Sequence, residues 1–242
     1  MPRKAQTESI ADADAAPGGA AAVDRALSLL AAFREGDKSL TLSTLAERTL
    51  LYKSTVLRLL ASLEHGRIVQ RLEDGRYTLG PEIARLHAAY ASSFSLDRVI
   101  LPALRELVRL TEESAAYHVR QGNTRLCLYR VDSPHPVRDH IKAGDVLPAD
   151  RGTGARVLNA FGAPALRAGT EVEQTLYNRI RHQGYYAGTG DRLAEVAGIS
   201  APVFKADGTL GGALTLTMPK SRYDEKHIQS VLAVASGLKG KF

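Results

Sequence analysis

Apolar residues near the N-terminus recur at helical spacing, interrupted by turn signals. From Ala22 they return every three or four positions, which predicts an amphipathic first helix. Thr41 precedes a second such stripe and is a residue type that caps helix N-termini. A third helix is predicted to open at Ser54 and to end at His65-Gly66, since glycine often lies just past a helix end. The predicted buried stripe of the third helix consists of Val56, Leu59, Leu60 and Leu63.

Two short strand-like runs follow, within the segment RIVQRLEDGRYTLG. Asp74-Gly75 lies between them, and this dipeptide is a strong signal for a tight hairpin turn. Three helices followed by a basic hairpin are the elements of a winged helix-turn-helix. Two short helices joined by a turn occur in many folds, so it is the hairpin that makes this interpretation specific.

The segments on either side of residues 21–80, the predicted winged domain, differ in character. Residues 1–20 are rich in Ala, Asp, Gly and Pro and have almost no large apolar residue, which predicts a disordered arm. Pro81 suits a first helical turn and opens a predicted linker helix over residues 81–95. The apolar face of this helix carries Ile83, Leu86, His87 and Tyr90, and we expect it to pair with a second copy.

Residues 96–242 show a mixed pattern and are predicted to form a second domain. A helix is followed by two strands around Gly122-Asn123, and PVRDHIKAG is predicted to be a third strand. Two helices, a hairpin around Asp207-Gly208 and a last helix from about Tyr223 to Leu238 complete the pattern. This order predicts an α+β domain with a mostly antiparallel sheet.

The charge balance favours an anionic partner. The formal net charge is +6 and the isoelectric point is near 9.5. Between Glu47 and Glu64 the only charged residues are Arg48, Lys53 and Arg58, so this stretch, which leads into the predicted third helix, is locally basic.

Several classes of protein are disfavoured by the composition. The only cysteine, Cys127, leaves no internal disulfide and no cysteine-based zinc site. No apolar run approaches the roughly 18 residues that a membrane span needs. The N-terminus lacks the apolar core of a secretory signal, which predicts a cytoplasmic protein.

The winged helix-turn-helix predicts contacts to double-stranded DNA. A recognition helix enters the major groove N-terminus first, which places phosphate-binding side chains at its start and a base-reading side chain one turn later. Arginines on either side of the hairpin turn are expected to face phosphate or the minor groove. The candidate DNA-binding residues are Lys53, Ser54, Thr55, Arg58, Arg71 and Arg76.

An enzyme is the weaker hypothesis. Cys127 with His118 or His140 invites a Cys–His nucleophile, but Cys127 lies inside a predicted strand, where a thiol is usually inert packing. The histidines show no metal-ligand spacing, and the chain has no P-loop and no dinucleotide fingerprint. We therefore expect no catalytic residue, no metal and no cofactor.

The chain resembles the IclR family of bacterial transcriptional regulators over about residues 21–238. The resemblance rests on AAVDRALSLLAAF, LSTLAERTLLYKSTVLRLLASLEHGRIV and DGRYTLGP in the N-terminal part, and on LYRVDSPHPVR and GISAPVFKADGTLGGALTLTMPKSR in the C-terminal part. It implies a winged-helix domain, a linker helix that dimerises and a GAF-like effector-binding domain, assembled as a dimer or a dimer of dimers. Many members respond to small organic or aromatic acids and control catabolic genes.

The family pattern also implies which residues contact the effector. They map onto Leu147, Thr153, Gly154, Asp191, Ile199, Thr215 and Thr217. Asp139 and His140, in the predicted third strand, are weaker candidates. The segment RGTGAR is expected either to present free backbone N–H groups at the start of a helix over residues 153–162 or to form a plain flexible turn.

Two positions depart from the family pattern. Leu50 stands where a glycine usually opens the turn before the recognition helix, and a leucine costs stability if that backbone needs a positive φ. Asp150 stands where a histidine is usual.

The sequence thus predicts a DNA-binding regulator, repressor or activator, with a small-molecule effector, an organic acid being slightly preferred. Two alternatives remain. One is a small-molecule-binding module that acts through a protein partner, and the other is a hydrolase using Cys127.

Overall fold

The computed structural model describes residues 8–34, 36–94, 96–163 and 170–242, with side chains omitted at 91–94. The chain divides into two compact units, Met1–Ser93 and Phe94–Phe242. The elements of the first unit are α1 (Ile10–Ala13), α2 (Ala21–Ala31), α3 (Leu42–Thr49), α4 (Lys53–His65), β1 (Val69–Arg71), β2 (Tyr77–Leu79) and α5 (Pro81–Phe94).

The first unit is built around one small apolar core. Each of α2, α3 and α4 contributes a fully buried leucine, and Tyr77 of β2 closes the cluster from the hairpin side. Leu40 exchanges two backbone hydrogen bonds of 2.8 Å with Tyr77, which ties the segment before α3 to the hairpin. The winged helix-turn-helix predicted from the sequence is therefore the observed fold.

Local signals placed the element ends of this unit accurately. The Thr41 hydroxyl accepts a hydrogen bond from the Thr44 N–H, which confirms the predicted cap of α3. β1 and β2 pair antiparallel around Asp74-Gly75, and Gly75 has φ +80°, which confirms the hairpin. The third helix begins one residue earlier than predicted, at Lys53, with Tyr52 as its N-cap.

The N-terminal prediction is wrong for part of its range. Ile10–Ala13 forms a short helix, capped by the Ser9 side chain, where a disordered arm was predicted. The Asp12 carboxylate accepts from the Arg25 guanidinium of α2 at 2.9 Å, and Ala11 is buried. One ion pair and one small buried residue hold this turn, and neither registers as an apolar stripe. Residues 1–7 of the predicted arm lie outside the described residues.

Helix α5 packs none of its described side chains into an apolar core. None of the side chains of residues 81–90 is buried. Leu86 is 45% and Tyr90 42% exposed, so the apolar face predicted from the sequence lies open in the single chain.

The second unit is an antiparallel sheet with helices on both faces. Its elements are α6 (Leu96–Thr111), β3 (Ser114–Gln121), β4 (Thr124–Val131), β5 (Val146–Pro148), α7 (Thr153–Phe161), α8 (Glu171–Gln183), β6 (Tyr186–Thr189), β7 (Val196–Phe204), β8 (Leu210–Pro219), a 3-10 turn (Lys220–Arg222) and α9 (His227–Leu238). The six strands run in the order β5-β4-β3-β8-β7-β6, and every described pairing is antiparallel. This confirms the predicted α+β class.

The two sheet faces have different cores. On one face α6 and α9 pack through residues such as Leu104 and Val231 against Ile199 and Leu214 of the central strands. On the other face α7 and α8 pack against the sheet through a smaller cluster that includes Leu158. The smaller cluster leaves room beside the start of α7, and the pocket described below lies there.

Two predicted elements of this unit differ from the structure. Residues 136–144, predicted as a strand, form an irregular loop, and the strand that pairs with β4 is β5. Asp139 in that loop pairs with Arg130, so side-chain charges rather than a backbone ladder hold the segment. The last helix begins at His227 rather than near Tyr223, since residues 223–226 form a separate non-helical turn after the 3-10 turn Lys220–Arg222.

Candidate functional site

The turn before α4 keeps the geometry that glycine usually provides. Leu50 ends α3 with φ +58° and ψ +25°, in the left-handed region. Its side chain is 49% exposed, while the next residue, Leu51, is buried in the core. Leucine in place of the usual glycine therefore keeps the turn conformation, and the free-energy cost of that substitution is backbone strain.

Helix α4 has one face in the core and one open to solvent. Val56 and Leu60 are buried, whereas Lys53, Ser54 and Arg58 are exposed on the outer side. Thr55 is half-buried at the edge. Among the described residues, neither Lys53 nor Arg58 has an acidic partner. Both cations are free to meet an external anion.

The two candidate arginines of the wing are exposed, and each interacts with a neighbouring side chain. The guanidinium of Arg71 lies 5.9 Å from the centroid of the Tyr77 ring, a cation–π arrangement that orients it. Arg76 lies 3.6 Å from the Asp74 carboxylate, and both side chains are more than half exposed. Such a surface pair is weak and gives way easily to a stronger anion.

A small, partly open pocket, with a cavity volume of about 30 Å³, lies between the N-terminal end of α7 and the sheet. Five of the seven residues mapped from the family pattern line it: Thr153, Gly154, Asp191, Thr215 and Thr217. Small residues bring the helix close to the strands. A Cβ on Gly198 would lie 2.6 Å from Thr153 Oγ1 and one on Gly154 2.9 Å from Thr215 Oγ1.

The other two mapped residues do not line this pocket. Ile199 is fully buried in the core beneath α6 and α9, because alternate residues of a strand face opposite sides of the sheet. Leu147 packs beside Cys127 and Ile141 instead. Of the weaker candidates, His140 is exposed, whereas Asp139 lies at the pocket edge, where it accepts from Thr217 Oγ1 at 3.3 Å.

Hydrogen bonds from other residues of the protein already hold the Asp191 carboxylate. Its carboxylate accepts from both Nε and Nη2 of Arg156, at 3.2 and 2.9 Å, and from the Gly152 N–H at 3.0 Å. The hydrogen bond that the Arg156 guanidinium donates to Asp191 raises the pKa of Arg156. The backbone N–H of Gly152 is thus occupied, so the first of the two interpretations of the RGTGAR turn, free N–H groups, does not hold at Gly152.

Sequence reasoning missed the cationic groups of the pocket, Arg125 and Arg192, and assigned no binding role to His118. Arg125 is buried, and its Nη1 donates to the backbone oxygens of Pro148 and Arg151. Burial, together with nearby Arg192, lowers the pKa of Arg125 to about 10. Its position two residues before Cys127 placed both on one strand face, which was an available signal. Arg192 lies in a loop, and no periodicity in a loop sequence predicts that a side chain is buried.

A buried charge cluster borders the same pocket. Arg130 and Asp139, whose side chains are 4% and 1% exposed, form a close ion pair. Arg192 Nη2 lies 3.5 Å from Asp139 Oδ2, too far for a hydrogen bond. Burial lowers the pKa of Arg192, partly offset by Asp139. The carboxylate of Asp139 therefore satisfies Arg130 better than Arg192.

His118 and Cys127 are cross-strand neighbours on β3 and β4, yet their protonation states do not suit nucleophilic catalysis. Burial raises the pKa of the Cys127 thiol to about 12. Burial and the neighbouring arginines lower the pKa of His118 to about 3. At neutral pH the pair is thiol and neutral imidazole, so it lacks the thiolate that such chemistry requires.

No helix in the described part of the chain is both long enough and apolar enough to cross a membrane. Within the same residues, no group of three His, Cys, Asp or Glu side chains is placed to hold a metal ion.

Known proteins match both units. Residues 22–73 match the IclR helix-turn-helix domain, and residues 167–237 match the C-terminal domain of IclR bacterial transcriptional regulators. The transcriptional regulator KdgR of Escherichia coli is 24% identical, covering 93% of this chain and 92% of its own length. The glycerol operon regulatory protein of Streptomyces griseus is 26% identical, over 83% and 85% of the two chains.

Solved structures show the same fold. An IclR homologue from Microbacterium hydrocarbonoxydans, crystallised with 4-hydroxybenzoate, has a TM-score of 0.79 at 23% identity and covers 90% of this chain and 97% of that chain. An IclR regulator from Alicyclobacillus acidocaldarius has a TM-score of 0.78 at 21% identity and covers 92% and 97%. With a winged helix-turn-helix in the first unit, a pocketed antiparallel sheet in the second and matches in both, this chain belongs to the IclR family of bacterial transcriptional regulators.

Proposed function

We propose that this regulator reads operator DNA with the exposed face of α4 and responds to a small anionic effector bound beside α7. One observation carries the proposal. The same chain combines cations without acidic partners on a recognition helix with a pocket that contains buried arginine N–H groups without hydrogen-bond acceptors.

The position of a residue on α4 determines which part of the DNA it contacts in this proposal. Lys53, Ser54 and Thr55 lie at the helix start, where side chains and the helix dipole favour phosphate oxygens. Arg58 lies one turn further along on the exposed face, where a guanidinium bonds the two acceptors of a guanine. We assign phosphate positioning to the first three and base reading to Arg58.

The wing supplies further phosphate contacts in this proposal. Arg71 and Arg76 flank the hairpin turn, and both are exposed. Phosphate would replace the exposed Asp74 partner of Arg76 at little cost, since such surface pairs contribute about 0–1 kcal/mol.

An organic acid fits the pocket by charge. The arginines that border it outnumber the carboxylates, and Arg156 already neutralises Asp191. One relative is a glycerol operon regulatory protein, and one structural relative was crystallised with 4-hydroxybenzoate. By analogy, we infer control of catabolic genes by a small acid, without enzymatic activity.

The regulator is proposed to act in the cytoplasm as a homodimer or a dimer of dimers. A single winged helix makes few contacts, and specific affinity usually needs two half-sites. The exposed apolar face of α5, with Leu86 and Tyr90, suits pairing with its counterpart in a second copy.

The test compares binding of the purified protein to DNA from upstream of its own gene with binding to scrambled DNA, across a salt series. Arg58→Ala is expected to cost about 1–3 kcal/mol on the upstream DNA and to relax sequence preference. Lys53→Ala is expected to weaken binding to both DNAs equally. It is also expected to reduce the slope of log binding constant against log salt concentration by about 1.

Arg109→Ala is the matched control, because Arg109 is an exposed arginine of the second unit paired with Glu106. It is expected to leave binding unchanged. Equal effects of Arg58→Ala and Arg109→Ala, with both proteins folded, would contradict the assignment of base reading to α4.

A further inference from the structure

The pocket beside α7 has an unusual lining for a ligand site. Its apolar contribution is limited to Ile141, Val196 and Ala197, and none of the described residues that line it is Phe, Tyr or Trp. Apolar and aromatic side chains usually dominate small-molecule pockets. A polar ligand is therefore indicated, and the unsatisfied groups of the lining define its chemistry.

Two arginine N–H groups of the lining have no hydrogen-bond acceptor. Arg125 Nε and Arg192 Nη2 are buried and make no hydrogen bond among the described residues, although Arg192 Nη2 lies within ion-pair distance of Asp139 Oδ2, at 3.5 Å. Arg125 has no acidic partner within ion-pair distance in that part of the chain, since its other bonds go to backbone oxygens. Leaving such donors unsatisfied costs free energy that an anionic ligand would recover.

A chain of hydroxyl groups adds a further donor. Ser200 Oγ lies 2.8 Å from Thr153 Oγ1 and 2.9 Å from Thr215 Oγ1. Three hydroxyls carry three protons, and these two hydrogen bonds use two of them. One hydroxyl proton is left for a ligand oxygen, and Thr153 and Thr215 both line the pocket.

His118 supplies both a donor and an acceptor. It is fully buried in the lining, and neither of its ring nitrogens has a partner in the structure. Burial and the nearby arginines keep the imidazole neutral, with a pKa of about 3. A neutral imidazole offers one N–H and one bare nitrogen, and the bare nitrogen needs a donor such as a ligand hydroxyl.

We propose that the effector of this protein is a small aliphatic hydroxycarboxylate. Its carboxylate binds Arg125 and Arg192, and its hydroxyls exchange hydrogen bonds with His118 and the threonine hydroxyls. This assignment rests on the proposed function, since it names the ligand class of the same pocket.

The same groups disfavour an aromatic acid. A ring against Thr215, His118 and the glycine backbone would leave their polar atoms desolvated and unpaired. A site built to hydrogen-bond a hydroxyl can discriminate against analogues that lack it by about 10⁴-fold.

The test is calorimetric titration of the full-length protein with matched acids of two lengths: glycerate against propionate, and gluconate against hexanoate. Glycerol and benzoate complete the set. In at least one pair, the hydroxylated acid is expected to bind 100-fold tighter or better than its deoxy partner, since each hydroxyl contributes about 10-fold or more. Glycerol, without a carboxylate, and benzoate, without the hydroxyls, are expected to bind at least 100-fold more weakly than that acid.

Two variants assign the groups, and one controls for substitution. Thr215→Val is expected to reduce the preference for the hydroxylated acid by about 10-fold or more, and Arg192→Gln to weaken both acids of a pair alike. Thr175→Val, on the exposed side of α8, is expected to change neither. Unfolding midpoints establish that each variant is folded.

Tighter binding of benzoate, equal binding within both pairs, or no binding of either hydroxylated acid would overturn this ligand class. The DNA titration is independent of it. Sequence-specific DNA binding without hydroxycarboxylate binding would overturn this inference alone. Hydroxycarboxylate binding without sequence-specific DNA binding in either ligand state would uphold the ligand class and overturn the proposed regulator.

Discussion

Leu50 adopts a backbone conformation that ordinarily belongs to glycine. With φ +58°, its Cβ crowds the following carbonyl oxygen, a strain of roughly 1–2 kcal/mol for an L-residue. Half of the side chain is exposed, so little apolar burial compensates. Leu50→Gly is expected to raise the free energy of unfolding of the first unit by about 1 kcal/mol, measured by urea denaturation.

Leu50→Ala is the control for lost side-chain contacts. Alanine retains the Cβ and therefore the strain, so this variant is expected to be no more stable than the natural protein. If the alanine and glycine variants have the same stability, strain at Leu50 is not the cause.

His118 makes stability depend on pH. The folded protein holds its pKa near 3, against about 6.5 in the unfolded chain, so between these values the unfolded state binds more protons. Stability attributable to His118 is complete above about pH 6.5 and is lost as pH falls. At about pH 5.5 the loss is expected to be about 1.4 kcal/mol.

Urea denaturation of the natural protein and of His118→Gln at about pH 7.5 and 5.5 measures this contribution. The variant carries a neutral amide and is expected to lose about 1.4 kcal/mol less over that interval. His227, whose pKa is also lowered by burial, acts in the same direction in both proteins and cancels. Identical losses in the two proteins would show that His118 is protonated in the folded state.

At the scale of elements, caps and turns explain the agreement between sequence and structure. The Thr41 cap, the Asp74-Gly75 hairpin and the Asp207-Gly208 hairpin are short-range features, and each was readable from adjacent residues. The segment 136–144 was not, because the Arg130–Asp139 pair that holds it is buried, and no periodicity or turn signal in the sequence reports that burial.

Helix α8 offers a clean test of capping. Thr170 and Glu173 form a reciprocal capping box, in which each side chain accepts from the other's backbone N–H. Thr170→Ala is expected to destabilise the protein by about 1 kcal/mol, as measured by thermal unfolding. Thr175→Ala removes the same hydroxyl type within the helix and is expected to change stability by less than about 0.5 kcal/mol. Equal losses would rule out the cap as the cause.

For the whole molecule, the exposed face of α5 predicts self-association. Sedimentation equilibrium is expected to give a mass of at least about twice the chain mass of 26.1 kDa. Leu86→Glu places a charge on the exposed apolar face and is expected to weaken the dimer by 10-fold or more, a loss of about 1.4 kcal/mol. A monomer of the natural protein at micromolar concentration would contradict the proposal.

Ala88→Glu serves as the matched control, since Ala88 is exposed on the opposite side of the same helix. It adds the same charge without touching the apolar face. The dimer is expected to survive this change, and equal weakening by both substitutions would indicate a general charge effect.

The sequence by itself determined most of the helices, the two Asp-Gly hairpins, the winged helix-turn-helix and the exposed cations of α4, because periodicity, caps and turns depend on neighbouring residues. Three residues that it predicted through the family pattern, Thr153, Thr215 and Thr217, line one pocket. Only the tertiary structure decided that Arg125, Arg192 and His118 meet there, that Asp191 is occupied by Arg156, and that Ile199 faces the opposite core. These residues come from strands and loops far apart in the chain, and burial, which controls their charge and bonding, exists only once the sheet and α7 have packed.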